Sequence, residues 1–228
     1  MSTRTWTSTT PSWRVSADAR AELGPAERSQ RRRARKAAPG FRLSALARTA
    51  SHRAGLAPAA ARLPARRILG IDPGTLRLGY GVVEVFSPTD VRYVECGIIT
   101  APARMARAER LVEIARGLRD LVAEVKPHAV AMEEAFFGKN VQSTLALGEA
   151  RGVALLVVGE ASLQVVGYAP ASVKKSVVGH GRATKEQIAY LVRATLGLRR
   201  VPSSDAADAL AIALCHARAH GQGRGGLP

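Results

Sequence analysis

Four acidic residues, Asp72, Glu133, Asp205 and Asp208, stand in places where a chain of net charge +16 would not spend carboxylates without a purpose. Asp72 ends the short apolar run Ile68 to Ile71 and is followed by the turn-forming pair Pro73 and Gly74. An ionised carboxylate at the inner end of a buried strand costs several kcal/mol unless a cation accompanies it. Glu133 and Glu134 close a second apolar run in HAVAMEEAFF (residues 128–137). Successive side chains of a strand face opposite sides, so only one of that pair can point at a shared site. Asp205 and Asp208 come from VPSSDAADALAIALCHA (residues 201–217), where Ser203 or Ser204 can cap a helix and carboxylates at i and i+3 share one face.

The chemistry follows from the donor atoms. Carboxylate oxygens without His or Cys select hard cations, Mg²⁺ with Mn²⁺ as a substitute. Two such ions, roughly 4 Å apart, can activate a water on one side of a phosphodiester and stabilise the leaving oxygen on the other. Clustered acids also demand cations, because each like charge raises the pKa of its neighbours. Each acid has a plainer reading. First-turn acids are favoured by the helix dipole alone, an Asp before Pro-Gly initiates turns, and a Glu can end a solvated strand. Their joint occurrence is what points to a site.

The elements that must position these residues are legible. Three β-type runs, at about 67–72, 78–86 and 91–100, are joined by short connections that imply antiparallel neighbours. A helix over about 104–124 carries Leu111, Ile114, Leu118, Leu121 and Val122 at helical spacing, with Val125 just beyond, a stripe that should cover one face of the sheet. A fourth strand ends at Glu133, a helix spans about 140–161, and a fifth strand covers Gln164 to Tyr168. Helices follow at about 171–177, 184–196 and 204–219. Antiparallel strands followed by alternating helix and strand predict an α/β architecture, a mixed sheet with helices packed on it.

Several blocks in this order resemble the RuvC Holliday-junction resolvases: ILGIDPG, GYGVV, AMEEAFFGKN, LGEARGVALL, YAPASVKKSVVG and DAADALAIALCHA, running from about Arg67 to Ala217. The resemblance implies a ribonuclease H-like fold and an Mg²⁺-dependent endonuclease that resolves four-way junctions by symmetric cleavage in recombination and repair. It implies that Asp72, Glu133, Asp205 and Asp208 are the catalytic, metal-binding acids; with two ions per site, Asp72 and Glu133 are expected to contribute to the central metal positions and the helix pair to complete the site. It implies Phe136 as the aromatic that stacks at the junction, and roles for Lys174 and Lys185 in DNA binding and cleavage. Arg77, Lys139, Lys175 and Arg182 are further candidates for the DNA surface, because an acidic site needs a basic surround to attract phosphate; singly, each reads as a solvated charge. A homodimer acting with the RuvA and RuvB branch-migration proteins is also implied. Leu145, Leu147 and Val153, on the helix near 140–161, are candidates for the dimer interface or for packing on the sheet. Two departures are Leu78, where many members have Thr, and His180, in a loop.

Residues 1–66 carry 14 Lys or Arg against 3 acids, a net of +11, so most of the basic character belongs to this segment. It lacks a sustained apolar period and reads as a disordered basic extension, a DNA-binding arm, a targeting segment or the product of a start assigned too far upstream. The nuclease domain is expected over 67–220, with a flexible tail at 221–228. No apolar stretch reads as long enough to cross a membrane, and a cytoplasmic location is expected. Cys96 and Cys215 form neither a zinc spacing nor a disulfide framework. Two other functions stay open: the GIDPGT segment also resembles the first phosphate loop of actin-like ATPases and sugar kinases, which need a second comparable domain, and a protein could recognise junctions without cutting them.

Overall fold

The computed structural model describes residues 65–87, 89–134 and 140–221. The extension up to residue 64, the last seven residues, and Phe136, Phe137 and Lys139 lie outside the described residues. The chain runs β1 (Arg66–Asp72), β2 (Arg77–Ser87), β3 (Asp90–Thr100), α1 (Arg107–Val125), β4 (Ala129–Glu133), α2 (Val141–Glu160), β5 (Val165–Tyr168), α3 (Pro170–Val178), α4 (Lys185–Leu196) and α5 (Ser204–Gly221). The strands form one sheet in the order β3-β2-β1-β4-β5. The first three are antiparallel neighbours, as their short connections predict, and β4 and β5 add in parallel, each after a helix. The α/β mixed sheet expected from the pattern is the one observed.

Period-two alternation divides the sheet into two faces. Leu69 and Ile71 of β1, Leu78, Tyr80 and Val82 of β2, and Val130 and Met132 of β4 pack under α1 and α2 with Ile114, Leu118, Ala154 and Val158. Ile68, Val83 and Ala131 face the other way, onto α3, α4 and α5 with Val173, Ile188, Val192, Leu210 and Leu214. Each large apolar side chain withdrawn from water here contributes about 1.5–3 kcal/mol. Leu78 is fully buried in the first cluster, so its departure from the family pattern falls on the core.

α1 begins three residues later than its apolar period suggests. Met105 N–H donates to the Pro102 carbonyl in a turn, and the Glu109 carboxylate takes up the Ala106 N–H at 3.1 Å, which fixes the first helical turn beyond Arg104. α4 is started by a reciprocal pair between Thr184 and Gln187.

α5 is nearly enclosed: from Ala206 to Ala217 every residue except Asp208 is buried. Such a helix can lie on the sheet only if both surfaces are low. On the helix the contact residues include Ala209 and Ala213; on the sheet they are Gly70 and its cross-strand partner Gly81, with Gly79 opposite Asp72. A Cβ at Gly70 would overlap the Ala209 carbonyl oxygen, one at Gly79 the Asp205 carbonyl oxygen, and one at Gly81 would come within 2.7 Å of Leu210. Glycine inside a strand is otherwise unfavourable, and close backbone approach is its compensation. The far end of α5 is tied down by Tyr168, whose hydroxyl pairs with His216 Nδ1 at 2.9 Å.

α2 departs from the sequence reading. It is 20 residues long with a mean hydropathy of 1.3, long and apolar enough by length and composition to cross a membrane, contrary to the expectation that no stretch would be. Its charges Glu149 and Arg151 interrupt the apolar run in sequence, yet both are engaged in the fold: Glu149 pairs with Arg107 at 3.2 Å and Arg151 donates to the Glu133 carbonyl. Ala150, Ala154, Val157 and Val158 face inward, while Val141 (79% exposed), Leu145 (58%) and Leu156 (59%) face out.

If the glycine bed sets the depth of α5, Gly70→Ala should lower unfolding free energy by about 1–3 kcal/mol, the usual cost of overpacking a rigid contact. Urea denaturation reads this directly; an unchanged midpoint would show that the helix can shift without cost.

Candidate active site

Strand alternation puts Asp72 on the same face as Ile68 and Gly70, and Glu133 on the same face as Ala131, so both carboxylates leave the sheet on the α5 side at the C-terminal ends of the adjacent parallel strands β1 and β4. Glu134, of opposite parity, is exposed and extends beside Gly167 of β5. The first turn of α5 sits over these strand ends because Gly79 admits the backbone of Asp205, and Asp205 and Asp208 project from that turn.

The electrostatics report the convergence. Asp72 is pushed up to about 7, first by burial and then by the negative charges of Asp208, Glu133 and Asp205. Glu133 is raised by burial and by Asp208, against the pull of Lys174 and Lys185. Asp208 is raised by burial and by Asp205, with Lys185 and Lys174 opposing. Asp208 in turn holds the Lys185 ammonium above its ordinary value.

Two cations already occupy this rim. Arg77 Nε lies 2.7 Å from an Asp205 carboxylate oxygen, and Lys185 Nζ lies 3.4 Å from Asp208. Among the described residues no group of three or more His, Cys, Asp or Glu side chains stands ready to hold a metal ion. Unneutralised carboxylates repel one another, and the two on the helix take internal counter-ions. The donor set nonetheless suits a hard divalent cation, since it is all oxygen and Asp72 lacks a direct cationic partner among the described ion pairs.

Beside the acids is a cleft of about 300 Å³ lined by Asp72, Pro73, Glu133, Glu134, Leu147, Arg151 and Pro170. The structure thus brings Asp72, Glu133, Asp205, Asp208, Arg77, Lys174 and Lys185 to one end of the sheet. Lys175, on α3, and Arg182, in the loop before α4, are exposed and exert no resolved effect on the acids. His180 is exposed in that same loop. Phe136 and Lys139 lie outside the described residues. Leu147 lines the cleft and Val153 packs on the core, so of the three proposed interface residues only Leu145 is on the open face of α2. Arg151 escaped the sequence reading. Its signal was available, because a lone cation in a 20-residue apolar helix needs a partner.

The sequence model of the family Crossover junction endodeoxyribonuclease RuvC matches residues 68–216, a span that contains both strand ends and the helix pair. The chain belongs to the RuvC family. It is 49% identical to the RuvC of Chloroflexus aurantiacus over 152 residues, which is 66% of this chain and 92% of that protein. Among solved structures, Thermus thermophilus RuvC in complex with a Holliday junction substrate is 37% identical, with a TM-score of 0.65 over 68% of this chain and 95% of that one. The yeast mitochondrial Holliday junction resolvase Ydc2, at 16% identity and a TM-score of 0.51 over 70% of this chain and 80% of its own, shares the fold. The fold is ribonuclease H-like, as the RuvC resemblance implied.

The raised carboxylates give a pH signature. Asp72 binds its proton more tightly folded than unfolded, so the metal-free protein is favoured fully below about pH 4, and that contribution is lost as pH rises through about 7. In chelator, thermal melts of the wild type should fall over this window more steeply than those of Asp72→Asn. Parallel curves would mean that the four acids do not share a field.

Proposed function

We propose that this protein is a structure-selective endonuclease that resolves four-way DNA junctions by metal-dependent phosphodiester hydrolysis, in homologous recombination and repair. The observation that carries the reading is the convergence of Asp72 and Glu133, from the ends of two adjacent parallel strands, with Asp205 and Asp208 from the start of the helix seated over them. These four carboxylates would hold Mg²⁺, or Mn²⁺ in its place. When bound, two such ions supply an activated water and stabilisation of the leaving oxygen.

The chain's own residues set the conditions. Asp72 and Glu133 are fixed by the sheet and form the stationary half of the site. Asp205 and Asp208 are paired with Arg77 and Lys185, and metal held by these two acids would leave both cations free for the phosphates of a bound strand. Lys174 lies close enough to pull on Glu133 and Asp208, and belongs to the same positive margin. Lys175 and Arg182 extend that charge over the exposed surface, where contacts with phosphate are sequence-independent. On the family resemblance, Phe136 would stack on an unpaired base and Lys139 would contact phosphate; both lie outside the described residues.

The open face of α2 fits a second copy of the chain. Val141, Leu145, Leu155 and Leu156 are exposed there, and none of the described residues packs over Gly148, Gly152 or Gly159. An exposed apolar face of this kind marks an interaction site, and an isologous pairing would match the two-fold symmetry of a four-way junction. RuvA and RuvB enter as partners on family grounds alone. The phosphate-loop alternative is disfavoured by the RuvC family match, which runs from residue 68 to residue 216 and takes in the GIDPGT segment.

The test is cleavage of a labelled four-way junction beside a matched linear duplex. The wild type with Mg²⁺ should give paired nicks on opposed strands of the junction alone. Chelator should abolish them, and Asp72→Asn or Glu133→Gln should slow cutting on the order of 100-fold or more. Tight junction binding without nicks in the wild type would make it a binding protein instead.

A further inference from the structure

We infer that Arg151 is a positioning residue that fixes the end of β4 and so aims Glu133. The inference concerns how the proposed metal site is held, and it rests in part on the resolvase reading. Glu133 is the last residue of β4, in register with Tyr168, the last of β5, and the ladder closes beyond it with the Glu134 N–H donating to the Tyr168 carbonyl at 2.9 Å. The Glu133 carbonyl is therefore at the boundary where sheet pairing stops. Arg151 reaches 18 residues back from the middle of α2 and donates its guanidinium to that carbonyl.

The geometry distinguishes this side chain from an ordinary surface cation. Arg151 is half-buried and lines the cleft with Asp72, Glu133 and Glu134, yet among the described residues it enters no ion pair with any of these acids. Its hydrogen bond goes to the main chain. A partly buried main-chain carbonyl is costly to leave without a donor, so the bond holds the peptide plane that follows Glu133. Anchoring that carbonyl anchors the end of the strand from which the Glu133 side chain departs. α2 is itself braced against α1 by Arg107–Glu149 and by the two-point contact of Arg119 with Glu160, at 2.8 and 3.3 Å. The guanidinium consequently hangs from a fixed support.

Two roles can be separated by the sign of one effect. If Arg151 acted only as a nearby positive charge, removing it would tighten cation binding. If it positions Glu133, removing it will weaken cation binding even though a repelling charge has gone. The experiment uses the full-length protein as wild type, Arg151→Met, which keeps the apolar stem, and Arg151→Lys, which keeps a donor. Mn²⁺ binding is measured by calorimetry, and single-turnover junction cleavage and junction affinity are measured alongside.

Arg151→Met should bind Mn²⁺ about 10-fold or more weakly and cut on the order of 10–100-fold more slowly. Its junction Kd in chelator should stay within about twofold of the wild type, and Arg151→Lys should recover a substantial part of both losses. Unchanged or tighter Mn²⁺ binding in Arg151→Met would overturn the inference. So would a cleavage defect matched by an equal loss of junction affinity, which would make Arg151 a phosphate contact. A wild type that binds Mn²⁺ but does not cut would sink the resolvase reading while the calorimetry still decides the role of Arg151.

Discussion

The approach of α5 to the backbones of β1 and β2 is the constraint on which the rest of the molecule depends. Gly70, Gly79 and Gly81 give the sheet a surface without side chains, and Ala209 and Ala213 lower the facing surface of the helix. The first turn of α5 is thereby held against the backbone of β2, opposite the strand position that carries Asp72. A helix lifted by a single methyl layer would carry Asp205 and Asp208 away from the strand-borne acids. Packing and chemistry are thus the same fact viewed at two distances: the interface that buries the apolar length of α5 also sets the spacing of the carboxylates at its start.

That arrangement stores an electrostatic conflict. Four acids at one end of a sheet, three of them with raised proton affinity, destabilise the fold at neutral pH unless positive charge arrives. Arg77 and Lys185 relieve the two acids on the helix, and Asp72 remains the least compensated. The conflict gives the proposed metal ions something to do before any substrate is present. Their arrival would settle the strand acids and release the two cations to the rim, so one binding event prepares both the site and its surround.

Much of this was legible in the sequence. Period-two alternation allowed only one of Glu133 and Glu134 to face the site, the RuvC resemblance singled out Glu133, and the i, i+3 spacing of Asp205 and Asp208 put both on one face. The strands and helices fell within a few residues of their predicted bounds, because turn-forming and capping residues such as Pro73, Gly74, Asn140 and Thr184 punctuate the apolar runs. The rest depends on contacts between segments far apart in sequence. Nothing local in GYGVV says which helix will lie on its glycines, although glycine within a strand signals close approach. Nothing near Arg151 says that its partner is the Glu133 carbonyl, 18 residues earlier. On α2, where apolar residues occur all round the helix, sequence alone could not say that Leu145 would face outward while Leu147 lined the cleft and Val153 met the core. Leu78 read only as a departure from the family pattern, and alternation turns it away from the acids, into the core.

The central claim is that the seating of α5 on its glycine bed makes one cation site out of residues from two strands and a helix. The most direct measurement is anomalous diffraction from crystals soaked in Mn²⁺. The account predicts a peak held jointly by carboxylates of Asp72, Glu133 and Asp208, with Lys185 moved off Asp208. No peak at these strand ends, or Mn²⁺ bound by the helix acids without Asp72 and Glu133, would contradict it.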